Sequence, residues 1–337
     1  MMDYLISVCI TSYNRVHELR RCIDSIDSKY TDKVEIVVSE DCSPKKDEIK
    51  EMVLSLKETK PYQMVFNSND CNLGYDRNLK KLIMLAHGQY ILYFSDDDVL
   101  FPHALDKVID FIESKKEKPA LIFSPFRFVP TNEIKRKYNQ THDIVPGSVS
   151  AAKYLYDAIL FSGLIFRRDT VIHIDAERFK NMNYFQVYLF LTVIYRYGGS
   201  YLNELVIDSI SDGENAYGTV KSGESNALLA DRQSIYSNLE FNKGLFAVIQ
   251  YFDKDHDTNV FQAFAHEFSV RTFGGLCRAR QLGLQDYKRY WKKLNDTINL
   301  DSIATVYYFF IALFGEKISS FVFIWLKKIV FRVRARI

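Results

Sequence analysis

Four short apolar runs, each closing in a polar cluster and each followed by apolar residues at helical spacing, constrain this chain most tightly. They are residues 5–10, "VEIVVS" at 34–39, "YQMVFN" at 62–67 and "QYILYF" at 89–94. Between them Val16, Leu19, Ile23 and Ile26, then Ile49, Val53 and Leu56, then Leu79, Leu82, Ile83 and Ala86 repeat with helical period. Strands that are apolar throughout and alternate with amphipathic helices are covered on both faces. The pattern therefore predicts an α/β fold, a mostly parallel sheet flanked by helices.

Further on, Pro102 stands where a first-turn proline would open a helix continued by Leu105, Val108, Ile109 and Ile112. "ALIFSPFRFVP", "SGLIFRRD" and "SYLNELVID" read as strands, and "NYFQVYLFLTVIYRYG" as a buried helix. Residues 211–226 are polar and carry Gly213, Gly218 and Gly223, which marks a boundary, and long helical patterns follow. We expect one domain over 1–212, with halves 1–105 and 106–212, and a helical region over 213–337.

Forty-four basic residues against forty-two acidic ones argue against a nucleic-acid partner. Five scattered cysteines without a CxxC pair exclude a zinc cluster or disulfide framework and suit a reducing compartment. The apolar stretch in "MMDYLISVCITSYNR" is too short for a secretory signal, so the chain is expected in the cytoplasm.

In an open parallel sheet, ligands bind beyond the carboxyl ends of the strands, where loops and helix N-termini converge. The polar clusters fall there: "TSYNR" (Thr11 to Arg15), "SEDCS" (Ser39 to Ser43), "NLGYDRN" (Asn72 to Asn78) and "SDDD" (Ser95 to Asp98). Three adjacent carboxylates repel one another and lose hydration when buried. A hard divalent cation carrying a diphosphate would compensate them. The bland alternative is that Asp97 and Asp98 cap the helix near Pro102.

These residues carry a resemblance. Residues 6 to about 105 resemble the N-terminal half of a family 2 glycosyltransferase of the GT-A fold, a Rossmann-like architecture. The family's turn "P-x-Y-N", then "D-D-x-S", "N-x-G" with an Arg, and "D-x-D" are matched by Thr11-Ser12-Tyr13-Asn14, Glu40-Asp41-Cys42-Ser43, Asn72-Leu73-Gly74 with Arg77-Asn78, and Ser95-Asp96-Asp97-Asp98. The resemblance implies a nucleotide-sugar donor held by Thr11, Tyr13, Asn14, Asp41, Asn72, Arg77 and Asp96. In it Tyr13 packs on the base, Asp41 accepts from base or ribose, and Arg77 holds base or phosphate. Asp97 is the ligand of a divalent cation, Mg2+ or Mn2+, and Asp98 lies near the donor sugar.

Two letters depart from the pattern. Ser95 replaces a frequent aspartate, and Gln186 occupies the place of the usual catalytic base, where an amide cannot usefully accept a proton. Asp98, Asp175, Glu177 and His173 are the candidate replacements by neighbourhood, and the stereochemical outcome stays open. The "SDD" spelling resembles the abequosyltransferase-like branch that builds O-antigen side branches. In "SGLIFRRD", Ser162-Gly163 would let a sugar approach the backbone closely.

Near the end, "IATVYYFFIALF" (303–314) and "ISSFVFIWL" (318–326) flank Gly315-Glu316-Lys317, and Lys327, Lys328, Arg332, Arg334 and Arg336 follow. Neither apolar segment alone is long enough to span a bilayer. Aromatic helices with a cationic end suit an anchor lying on the anionic cytoplasmic leaflet, with packing on the catalytic domain or on a second copy of the chain as the other covers. The function expected is transfer of a sugar to a hydroxyl of a polyprenyl-diphosphate-linked glycan in bacterial surface polysaccharide assembly. A non-catalytic nucleotide-sugar-binding scaffold is the rival, motivated by Gln186.

Overall fold

The computed structural model describes residues 4–210 and 227–334. The boundary expected at 212/213, the glycines of 211–226 and Arg336 lie outside the described residues, as do the side chains of Lys327, Lys328, Arg332 and Arg334.

The expected alternation opens the fold: β1 (Ile6–Ser12), α1 (Val16–Asp24), β2 (Val34–Glu40), α2 (Lys46–Thr59), β3 (Gln63–Ser68), α3 (Tyr75–Leu85) and β4 (Tyr90–Ser95). Then come β5 (Val99–Leu100), α4 (Ala104–Ser114), β6 (Leu121–Phe123), β7 (Phe126–Phe128), β8 (Glu133–Lys135) and β9 (His142–Ile144). After these follow α5 (Ser148–Tyr154), β10 (Ile165–Arg167), α6 (Arg168–Val171), α7 (Phe185–Tyr197), β11 (Gly199–Tyr201) and β12 (Ile207–Ser209). Four helices complete the chain: α8 (Ala227–His256), α9 (Val260–Gln281), α10 (Leu284–Thr297) and α11 (Ser302–Arg334).

Eight strands form the main sheet in the order β3-β2-β1-β4-β10-β6-β11-β9. β1 to β4 are mutually parallel where they pair, whereas β10 runs antiparallel between β4 and β6, so the sheet is mixed beyond the fourth strand. The register aligns Thr11 with both Ser39 and Ser95, which brings three of the polar strand ends level. Below them Ile6, Val8, Ile10, Val34, Ile36, Val38, Leu92 and Phe94 pack with Leu19, Ile23, Ile49, Val53, Leu105 and Val108 in one core. Such burial is the main favourable term holding the sheet to its helices. All residues from Phe185 to Ile194 of α7 are buried, as its mostly apolar sequence predicts, and Gln186 and Thr192 are buried with them.

A second sheet, β5-β12-β7-β8, sets β12 antiparallel to β5 with Ile207 opposite Leu100. That return carries Ser209 and Ile210 to the acidic loop. The helix expected to open near Pro102 starts at Ala104, because His103 takes a left-handed φ of 59° ahead of it.

The chain divides into two compact units, Met1–Ala216 with Val248–Thr258, and Tyr217–Ala247 with Asn259–Ile337. In the first, Asp255 pairs with Arg178 and accepts the Tyr188 hydroxyl at 2.5 Å. Arg178 beside it holds the Asp255 carboxyl below its ordinary range. A depressed carboxyl stabilises the fold above its unfolded pKa of about 3.9, and that contribution is lost as pH falls through the folded value. We therefore expect Asp255→Asn to lower the melting temperature at pH 7 by about 2–4 °C, the difference from wild type shrinking below about pH 4 in thermal scans.

In the second unit Phe273, Leu276, Tyr287 and Ile311 centre a small core, with the Tyr308 ring stacked between Tyr287 at 5.0 Å and Trp291 at 4.5 Å. Gly315, at φ 74°, breaks the helical geometry of α11 where the sequence places Gly-Glu-Lys. Even so, the 22 residues Ser302–Phe323 are, by length and composition, long and apolar enough to cross a membrane. That stretch is not one unbroken helix: two helices meet at a kink at Gly315, where the sequence separates its two apolar segments. Val306, Phe309, Leu313, Ile318 and Phe321 are all exposed along it.

Candidate active site

Because β4 ends in a tight turn, with the Asp98 N–H donating to Ser95 O at 3.3 Å, successive carboxylates leave the chain in different directions. Buried Asp96 accepts from Arg15 Nη1 at 2.8 Å and from the Tyr13 N–H at 3.3 Å. The side chain of Asp97, 14 % exposed, accepts from the Ser95 hydroxyl at 2.5 Å and lies 3.0 Å from Arg15 Nη1. Buried Asp98 accepts from the Ile210 N–H at 3.2 Å and from the hydroxyls of Ser162 and Ser209. Ser162 also receives the Ser95 N–H at 3.0 Å. None of the three caps α4.

Among the described residues no three His, Cys, Asp or Glu side chains converge into a metal cage. The triple aspartate is thus one partly exposed carboxylate between two buried ones. Burial pushes the Asp96 carboxyl up to about 7, although Arg15 pulls the other way, and pushes Asp98 up to about 6 with the Asp97 charge adding to it. Ser95, the departure from the usual aspartate, aims Asp97. That donor set fits a hard cation which takes one carboxylate from the protein and its remaining oxygens from a diphosphate and water.

The neighbouring turn is built by Asp41. Its Oδ1 accepts from Asn69 Nδ2 at 2.9 Å and the Leu73 N–H at 2.8 Å, and its Oδ2 from the Gly74 N–H at 2.9 Å. Buried Asp41 therefore shapes the 72–74 turn with most of its acceptor capacity. Asn72 Oδ1 accepts the Gly74 N–H at 2.9 Å as well. Arg77 Nε donates to Leu73 O at 2.7 Å, and its Nη1 lies 4.0 Å from Glu177. Gly74 ends the turn at φ 80°, ψ 163°, and a Cβ there would meet only Asn181 Oδ1, in ordinary contact at 3.9 Å. Gly74→Ala should accordingly cost about 1–3 kcal/mol through backbone strain alone, read as a shift in the urea midpoint.

Across the turn after β1, Tyr13 and Asn14 are half-buried, Asn14 in a left-handed conformation at φ 61°. Its Oδ1 is buried without a hydrogen-bond partner, an acceptor that a ligand hydroxyl or amide would satisfy. Thr11 lies at the level of Ser39 and Ser95.

On the other side, Gln186 is buried in the first turn of α7. Its Nε2 makes one long bond to Ile159 O at 3.4 Å and its Oε1 has no partner. Of the four candidate bases, Asp98 belongs to the acidic loop and Glu177 reaches Arg77. His173 and Asp175 instead line a separate polar cavity with Arg178, Tyr188 and Arg196. Sequence reasoning passed over two residues. One is Arg15, which bridges Asp96 and Asp97 and whose signal is the basic letter closing "TSYNR". The other is Asp76, whose buried carboxylate accepts four backbone N–H groups from Met182 to Phe185. Its signal was an acid in the first turn of α3, which reads as an ordinary favourable helix charge.

A mostly parallel sheet with a carboxylate loop, a turn ordered by Asp41 and an aromatic–amide turn at the carboxyl edge of its strands has the architecture of the GT-A fold. Residues 7–175, half of the chain, match glycosyl transferase family 2, and the chain belongs to that family. Among curated relatives, abequosyltransferase RfbV of Salmonella typhimurium is 31% identical over 115 residues, 34% of either chain. The putative colanic acid biosynthesis glycosyl transferase WcaA of Escherichia coli is 30% identical over 101 residues, 30% of this chain and 35% of that one. The matched part thus spans about a third of these relatives. Two solved structures share the fold at 12% identity and a TM-score of 0.51: S. aureus TarS 1-349 in complex with UDP-GlcNAc, with 87% of this chain and 89% of that one covered, and the Pyrobaculum calidifontis mannosyltransferase PcManGT in complex with GDP-Man and Mn2+, with 94% and 82% covered.

Proposed function

We propose that this chain transfers a sugar from a nucleoside-diphosphate donor to a hydroxyl of a lipid-linked glycan in bacterial surface polysaccharide assembly. The observation that carries this reading is the partly exposed Asp97 carboxylate, aimed by Ser95 and flanked by buried Asp96 and Asp98 at the edge of the parallel sheet. The likeness to an abequosyltransferase and to a putative colanic acid biosynthesis glycosyl transferase supports the polysaccharide context.

In this reading Asp97 holds Mg2+ or Mn2+, which when bound supplies charge neutralisation for the departing diphosphate. Tyr13 stacks on the base, and Thr11 and Asn14, through its unpartnered Oδ1, meet base or ribose. Arg77, steadied by Leu73 O, holds base or phosphate, while Asp41 and Asn72 keep the donor turn in shape. Asp96 orders Arg15 and the Tyr13 amide beneath the donor. Gln186 accepts a hydrogen bond from the acceptor hydroxyl at its free Oε1 and so positions it, since it cannot take the proton. Asp98, held beside Asp97 by the Ile210 N–H and the hydroxyls of Ser162 and Ser209, is the candidate for the base.

The exposed apolar residues of α11, followed by the cationic letters of 327–336, suit peripheral binding on the cytoplasmic leaflet, where such an acceptor is presented. The test is incubation of the purified chain and Mn2+ with UDP-, GDP-, dTDP- and CDP-sugars and a lipid-linked acceptor extract. Transfer, or slow donor hydrolysis without acceptor, is expected for one nucleotide class. Binding without turnover across the panel would instead favour the scaffold reading that Gln186 suggests.

A further inference from the structure

We infer that Asp76 is a positioning residue which locks the donor turn and the start of the acceptor helix α7 into one mechanical unit, so that nucleotide binding at the first orders the second. The inference rests on the functional reading above and names its internal coupling.

Asp76 sits between Gly74, which ends the donor turn, and Arg77, which grips that turn's carbonyl. It is 1% exposed. Its Oδ2 accepts the N–H groups of Met182 at 3.1 Å and Asn183 at 2.9 Å, and its Oδ1 those of Tyr184 and Phe185, both at 2.9 Å. A carboxylate offers about four lone-pair sites, and here all four are taken. The amides at a helix start have no partner within the helix, and no side-chain cap at Tyr184 supplies one for α7. Asp76 serves instead, from the helix that carries the donor turn, and its charge faces the positive end of the α7 dipole.

What it holds is a strained segment. Asn181 and Asn183 both adopt left-handed backbone, at φ 65° and 62°, a conformation that persists where surrounding bonds over-determine it. Asn181 Oδ1 comes close enough to Gly74 that it would stand 3.9 Å from a Cβ there, and a weaker contact, Arg77 Nη1 to Glu177 at 4.0 Å, reaches the residues just ahead of this segment. The next residue along is Gln186, with its buried, unpartnered Oε1. A ligand that fixes Arg77 and the 72–74 turn therefore fixes the Asp76 carboxylate, and with it the four amides that aim Gln186. Coupling of this kind is a free energy shared between two sites and is measurable at either.

Hydrogen exchange on the full chain with Mn2+, with and without UDP, GDP, dTDP and CDP, tests it. In the wild type the nucleotide that binds should slow exchange in peptides containing Met182–Phe185 by about fivefold or more. In Asp76→Asn, which keeps the side-chain volume but turns an NH2 group toward two of the amides, that nucleotide-dependent slowing should vanish, while nucleotide affinity stays within about fivefold. A purely structural cap predicts faster exchange in the variant with or without nucleotide and an unchanged nucleotide effect, and that result overturns the inference. Should Asp76→Asn not fold, the wild type alone decides, since nucleotide binding without slowing at Met182–Phe185 also overturns it. If none of the four nucleotides binds, the functional reading falls and takes this inference with it.

Discussion

Asp97→Ala abolishes cation-dependent nucleotide binding and lowers the transfer rate by on the order of 10²- to 10³-fold, the range seen when one preorganised electrostatic group is removed from an active site. The fold should survive, because Asp97 is the one partly accessible member of its cluster and its partners keep others. Arg15 retains Asp96 at 2.8 Å, and Ser95 retains Ser162 on its backbone N–H at 3.0 Å. Alanine at Asp96 or Asp98 is a different experiment, for it would strip buried donors of their acceptor and confound stability with binding. Titration calorimetry with Mn2+ and the four nucleoside diphosphates, beside a thermal scan, reads both halves of the prediction. Ser95→Ala should show a lesser loss, about tenfold, because a single hydrogen bond that aims the carboxylate is removed. Unchanged nucleotide affinity in Asp97→Ala would place the cation elsewhere.

The second large effect concerns α11. Replacing Phe309, Leu313 and Phe321 together by serine should weaken binding to vesicles rich in anionic phosphatidylglycerol by on the order of 10²-fold or more, since each large apolar side chain contributes about 1.5–3 kcal/mol when taken out of water. These three are 65%, 76% and 73% exposed, whereas Ala304, Ile311 and Ser319 on the same helix are buried, so the variant spares the buried face and gives up the edge contact of Phe309 with Tyr308 at 5.3 Å. Deleting the whole helix would not, because Ile311 belongs to the core of the second unit. Wild-type binding should also weaken as salt rises, through the cationic residues after Leu326. Vesicle flotation measures both. If the triple variant instead dissociates a dimer in sedimentation and still floats with vesicles, a second copy of the chain is what covers this face.

Much of the architecture was legible because it is periodic. Apolar residues in runs at 34–39 and 89–94, and at helical spacing through 16–26 and 49–56, have only one way to be buried together, and the sheet and its first helices follow. The position of the site was legible for a related reason, as polar letters collect where strands end. What stayed hidden is the direction of side chains within turns. Asp96, Asp97 and Asp98 read as one cluster, yet a tight turn sends them to Arg15, to Ser95 and to Ser162, Ser209 and Ile210. Asp41 reads as a ligand contact, and its oxygens accept from the protein's own 72–74 turn. Asp76 acts on Met182–Phe185, a pairing no local pattern encodes, because it is made only when β1 to β4 and the later strands close into one sheet. Pro102 misplaced a helix start by a residue or two because a left-handed His103 intervenes.

The central claim is that the crevice beyond β1, β2 and β4 holds a nucleoside-diphosphate sugar through a cation on Asp97. A crystal structure of the chain soaked with Mn2+ and the best-binding nucleotide sugar measures this directly. The account predicts an anomalous manganese peak against the Asp97 carboxylate, with the base beside Tyr13 and Asn14 and the phosphates reaching toward Arg77. Density for the nucleotide elsewhere, or manganese bound away from Asp97, would contradict it.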